Sequence, residues 1–161
     1  MKFIKRLEKQ EACEEALEWA KGQKSKQSAW DNCHRADWML WAWGHNVIQD
    51  SKQHKQLVLA CCACAKTGLK FIKDKQVKYL VKHSLATTEG WARGEKSINE
   101  VIEARYKYFV SAAAAAAYYA ANAAYAATDD AAYAVDNNTA KALLKMANII
   151  RKMQPKAPKF L

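Results

Sequence analysis

Apolar residues recur along this chain at three- and four-residue steps, in runs separated by short polar stretches. That period belongs to amphipathic helices. Cys13, Ala16, Leu17 and Ala20 set one face of a first helix over about residues 3 to 21, with Gly22 as its stop and residues 22–27 as a loop. Ser28 fits as the cap of a second helix, with Asp31 as a shortened capping-box acid, running through Trp30, Trp38, Trp41 and Trp43 to Gly44. Because those tryptophans point in more than one direction, the helix is expected to be central or to line a cleft. A third helix is predicted over about 52 to 67, ending near Gly68, and a fourth over about 74 to 93. In the fourth, Val77, Leu80, Val81, Leu85, Thr88 and Ala92 face inward and Lys75, Lys78 and Lys82 outward.

Ser97-Ile98-Asn99-Glu100 is a full capping box and predicts one long helix over about 98 to 127. Its second half is nearly all alanine, which lets neighbouring axes approach closely and suits the middle of a bundle. Thr128-Asp129-Asp130 reads as a break and restart, followed by a short helix to about 135 and a turn at 136–138. A last helix follows over about 139 to 153, with Leu143, Met146, Ala147, Ile150 and Met153 inward. Pro155 and Pro158 mark residues 154–161 as an exposed tail. The expectation is an all-α fold, a single compact bundle of six or seven helices over residues 1–153 around the alanine-rich helix.

Composition narrows the picture further. Of 161 residues 31 are alanine, two are proline and five glycine, too few breakers for a β-sandwich or barrel. A hydrophobic share of 51% with six tryptophans excludes disorder. Residues 109–127 carry no charge but lack Leu and Ile, and alanine contributes almost nothing to membrane insertion. Charges at Lys2, Lys5, Arg6 and Lys9 interrupt any signal-peptide core, so the chain is expected in the cytoplasm with its five cysteines reduced. Cys61 and Cys64 share a helix face and could bind a metal or sense redox, although small buried core residues are the simpler reading.

The net charge of +10 is unevenly placed, with eight basic residues against one acidic over 52–83 and six against none over 141–161. A surface built from Lys70, Lys73, Lys75, Lys78 and Lys82 would attract an acidic protein, a small anion or nucleic acid, or would simply be solvated. Only five of the 26 basic residues are arginine, the better phosphate fork, which weakens the nucleic-acid reading.

Two constellations are dense enough to carry chemistry. Ser111, Tyr118, Asn122, Tyr125 and Asp129 fall along one stripe of the long helix, as a hydrogen-bonding groove or as a polar seam satisfied between helices. The second is Cys33-His34-Arg35-Ala36-Asp37-Trp38. It could be read as nucleophile, base and orienter, but adjacent Cys33 and His34 diverge by about 100° on a helix, which suits proton transfer poorly. Arg35 and Asp37 read better as a partly buried ion pair or as interface residues. No metal-ligand spacing and no phosphate-loop or nucleophile-elbow motif is present, so no catalytic residue, metal or cofactor is expected.

Several stretches resemble the alanine-rich bacterial family of immunity proteins found near polymorphic-toxin genes and on phages and other mobile elements. They are residues 13–19, Ala29-Trp30-Asp31-Asn32-Cys33-His34-Arg35-Ala36-Asp37-Trp38-Met39-Leu40-Trp41, residues 57–65, Trp91-Ala92-Arg93-Gly94-Glu95 and the Ala/Tyr/Asp run 112–134. The resemblance implies a small helical protein that binds and silences a toxin, and it carries no catalytic residue across. This chain departs from the family in its lysine content and basic C-terminal stretch, which does not suit mimicry of nucleic acid.

Three functions follow as expectations. The first is a non-catalytic protein that neutralises a protein partner. The second is a phage or mobile-element anti-defence protein that inhibits a bacterial defence component or sequesters a nucleotide-like signal. The third is nucleic-acid binding through the lysine surface. The expected binding residues are Arg35, Asp37, Trp38, Arg93, Tyr118, Asn122, Tyr125 and Asp129.

Overall fold

The structure, a computed structural model, describes residues 2–45, 47–110 and 137–158, with side chains throughout except at 106–110 and 137–139. Among these the chain is all-α: eight α-helices, one 3-10 turn and no strand. It groups into two compact units, Met1–Leu57 with Leu143–Leu161, and Val58–Ala142.

The first unit begins with α1 (Lys2–Lys9), which buries Phe3, Ile4 and Leu7 along one stripe. The predicted helix over 3–21 is in fact two helices, because the chain turns between α1 and α2 (Glu14–Lys21). Glu11 adopts a left-handed conformation with φ 57°. Its N–H donates to Glu8 O and the Ala12 N–H to Leu7 O, at 3.0 and 3.1 Å. This is a Schellman closure, normally built on glycine and here made without it.

The predicted second helix is also two, α3 (Lys26–Asn32) and α4 (Ala36–Gly44). Ser25 rather than Ser28 is the cap, its Oγ accepting from the Ser28 N–H at 3.1 Å. The break at Cys33–Arg35 has a tertiary cause. Arg151, on the last helix α8 (Asn137–Met153), donates through Nη1 to Cys33 O at 2.6 Å and to Trp30 O at 3.3 Å. Carbonyls left over at the end of α3 are thereby satisfied by a side chain more than a hundred residues away in sequence.

Residues 154–158, expected as part of an exposed tail, fold back instead. Trp30, 2% exposed, donates its Nε1–H to Gln154 O at 2.7 Å. Gln27 donates to Pro155 O and accepts from the Ala157 N–H, at 3.1 and 2.8 Å. Ala157 and Pro158 are buried. Around these contacts Trp30, Met39, Trp43, Ala147 and Ile150 form the centre of the unit's core.

The second unit holds most of α5 (Lys52–Lys66), a 3-10 turn (Thr67–Phe71), α6 (Lys75–Arg93) and α7 (Ile98–Val110). Ser97 caps α7 as the sequence predicts, and Asp74, at the start of the span predicted for the fourth helix, is the cap of α6. Asp74 Oδ1 accepts from the Val77 N–H at 2.8 Å. Ser97 and Glu100 exchange bonds, Glu100 N–H to Ser97 Oγ at 3.2 Å and Ser97 N–H to Glu100 Oε2 at 2.8 Å. Gly94, with φ 83°, ends α6 in the left-handed region. Gly90 is a steric requirement: a Cβ there would stand 2.6 Å from Lys96 Cγ, where the chain crosses back over the end of α6. Between α5 and α6, Lys66 pairs with Glu89 at 2.7 Å. The alanine run, the restart at Thr128-Asp129-Asp130 and residues 111–127 of the predicted long helix lie outside the described residues. Among the described residues no helix is long and apolar enough to cross a membrane.

Candidate binding site

The break between α3 and α4 sets the geometry of the most distinctive surface in the first unit. A continuous helix would carry Arg35 and Asp37 in divergent directions. The extended backbone at Cys33 and Arg35 lets the Arg35 side chain turn back over α4. Its guanidinium then forms a two-point pair with Asp37, Nε to Oδ1 at 3.0 Å and Nη2 to Oδ2 at 2.7 Å. Glu15 on α2 adds a third contact at 3.4 Å.

The same guanidinium lies 4.5 Å above the Trp38 ring. With its side chain only 19% exposed, Arg35 is fixed in place by a carboxylate, an aromatic face and a neighbouring helix. The Asp37 hydrogen bond, ahead of the cost of burial, raises the Arg35 pKa above its ordinary value, so the charge is permanent. Asp37 sits in the first turn of α4, where the helix dipole favours an anion.

Beside this clamp Trp19 tilts against Trp38 at 5.9 Å and meets the His34 ring edge-on at 6.4 Å. Trp41, 37% exposed, tilts against the ring of His45 at 4.9 Å, and His45 is hydrogen-bonded to Gln10. Trp19, Trp38 and Trp41 thus surround an apolar void of about 50 Å³ whose floor is Phe3, Leu7 and Met39. Trp38 and Trp41 are therefore partly exposed, and the buried tryptophans of this unit are Trp30 and Trp43.

Cys33 does not join this surface as a nucleophile. Its thiol donates to Arg35 O at 3.4 Å, and burial, the largest influence on it, pushes its pKa up to about 11. Cys62 and Cys64 are likewise buried and raised to about 11, chiefly by burial. Among the described residues no group of three or more His, Cys, Asp and Glu side chains is placed to hold a metal ion.

Of the expected binding residues, the structure therefore brings Arg35, Asp37 and Trp38 together. Arg93 belongs to the second unit, where it pairs with Glu95 at 2.8 Å. Tyr118, Asn122, Tyr125 and Asp129 lie outside the described residues. Lys70, Lys73, Lys75 and Lys82 are exposed on the second unit and Lys78 half-exposed. The expectation did not include Glu15, Trp19 or Trp41 at the site. Trp19 falls at helical spacing from Ala12 and Ala16, a signal that places it on the inner face of α2 but not at the rim of a recess. No family model, no curated protein and no solved structure matches the chain.

Proposed function

We propose that this chain is a non-catalytic binding protein that silences a partner protein by seating on it, as its resemblance to immunity proteins implies, with the tryptophan recess as the contact surface. The observation that supports this is the recess with its clamp: Trp19, Trp38 and Trp41 around an apolar void, with Arg35 held rigidly at the edge. Tryptophan and arginine dominate the energetics of protein interfaces, and side chains already fixed in the free protein lose little freedom on binding.

The lining of the void favours a protein partner over a sequestered nucleotide. It is made by aromatic, aliphatic and sulfur side chains, which suit an apolar side chain from a partner and offer the phosphates and polar edges of a nucleotide nothing to bond. A toxin and a bacterial defence component would engage the same surface, and the identity of the partner separates these two cases. Both would be met in the cytoplasm.

The test is growth rescue, with the chain co-expressed beside the toxic product of a neighbouring gene. Trp38→Ala combined with Trp41→Ala should lower affinity by roughly 30-fold or more and abolish rescue, as loss of a hot spot does. Helix content should stay unchanged, since both rings are partly in water already. Full rescue by that variant would remove the recess from the reading.

A further inference from the structure

We infer that the second unit carries a surface for single-stranded nucleic acid, made by Lys70, Phe71, Lys73, Lys78, Tyr79 and Lys82. This inference stands apart from the recess and does not rest on it. The 3-10 turn ends at Phe71, two residues before Lys73, and α6 starts at Lys75. Along α6 the exposed residues are Lys75, Gln76, Tyr79, Lys82, His83, Ala86 and Arg93; of these Lys75, Tyr79, Lys82 and Ala86 follow one stripe at steps of four, three and four, and Lys78 is half-exposed beside it. The turn lies against α6, with only residues 72–74 between them.

Its charge is of one sign. Between Thr67 and Thr88 the only acid is Asp74, and one oxygen of that carboxylate already accepts from the Val77 N–H. Lys70, Lys73, Lys75, Lys78 and Lys82 make no ion pair among the described residues, whereas Lys66 and Lys96 of the same unit are each paired. Lys75 and Lys78 also occupy the first turn and the residue after it on a 19-residue helix whose dipole is positive at that end. Like charges crowded there oppose the folded state, and a polyanion relieves that repulsion.

Aromatic rings lie among these cations. Phe71 is 72% and Tyr79 62% exposed, far more than a side chain kept for packing. One face of Phe71 is covered by Lys70 Nζ at 4.7 Å from its centroid, and the His83 ring lies beside Tyr79 with 6.4 Å between centroids at a 31° tilt. Cations interleaved with exposed aromatic rings hold phosphates and stacked bases in alternation, which is the chemistry of single-strand binding. A duplex keeps its bases stacked on each other and leaves such rings without a partner. A lipid surface asks for a continuous apolar stripe, but here a lysine follows at every turn. Lysine is a point charge rather than a bidentate fork, so the surface follows backbone without reading sequence.

The experiment is fluorescence anisotropy of the full chain with a labelled oligothymidylate of about 20 nucleotides, beside a duplex of equal length and phosphatidylserine vesicles. The single strand should bind best, with log K falling against log salt at a slope of about −2 to −3 between about 50 and 200 mM. Phe71→Ala with Tyr79→Ala should weaken it about ten-fold or more at unchanged slope, while Tyr79→Phe retains affinity. Lys73→Gln with Lys82→Gln should make the slope shallower by about 1.4. All these positions are exposed, and circular dichroism confirms that each variant is folded. The proposal is overturned by no binding at the lowest salt, by equal affinity for the duplex with no effect of the aromatic variant, or by preference for the vesicles.

Discussion

A guanidinium in water keeps five N–H donors solvated, so a fold that withdraws one must replace those bonds. Arg151 does so with the carbonyls of Trp30 and Cys33 and the side-chain oxygen of Asn148. Arg35 does so with two carboxylates and an aromatic face. The first arrangement joins distant parts of the chain, and the second holds a charge ready at a surface. Glu100 shows a charge that titrates instead. Its bond from Lys96, then those from the Ser97 backbone and hydroxyl, lower its pKa from an ordinary 4.5 to about 2. A carboxylate depressed in the folded state stabilises it above the unfolded value and ceases to do so as pH falls through the folded one. The start of α7 should therefore hold firm above about pH 4.5 and loosen progressively towards pH 2. Amide exchange at Ser97 and Glu100, followed across that window, should accelerate before the rest of α6 and α7 does.

At the scale of elements, a helix start marked by a full capping box is legible in the sequence, and a stop set by other means is not. Ser97 caps where its box predicts and the inner face of α6 follows its apolar period, whereas α3 is capped by Ser25, three residues before the serine that the pattern suggests. The stop after α1 carries no glycine or asparagine, so periodicity runs straight through Glu11. The stop after α3 depends on Arg151, which no local window contains. The docking of residues 154–158 is hidden for the same reason, because Gln27 and Trp30 supply its partners. The recess inherits this blindness: its tryptophans are evident, but its rim exists only because α3 and α4 are separate. Glu11 also gives a test. A left-handed non-glycine residue costs about 1–2 kcal/mol, so Glu11→Gly should stabilise the protein by about 1 kcal/mol after the extra freedom of an unfolded glycine is counted. The midpoint of urea unfolding should rise accordingly, and a fall would show that the Glu11 side chain contributes something its backbone conformation does not reveal.

On the scale of the whole molecule, the two units differ in how the chain supplies them. Val58–Ala142 is one continuous stretch, whereas the first unit takes its opening residues from one end of the chain and its closing residues, Leu143–Leu161, from the other. The core around Trp30 is incomplete without Ile150 and Gln154. This discontinuity has a consequence for biosynthesis. A ribosome adding roughly 5–20 residues per second needs about 4 to 17 s to make the 85 residues between Leu57 and Leu143. Until α8 follows, Trp30 lacks the Gln154 carbonyl that accepts from its Nε1–H and the Arg151 side chain that donates to its own carbonyl, so the core of the first unit stays open. The first unit should therefore complete its core only once α8 has left the exit tunnel. Nascent chains stalled just after residue 142 should be cut by protease within α1–α4, and chains stalled far enough beyond residue 161 to clear the tunnel should resist; equal resistance at both points would show that the early helices close without α8.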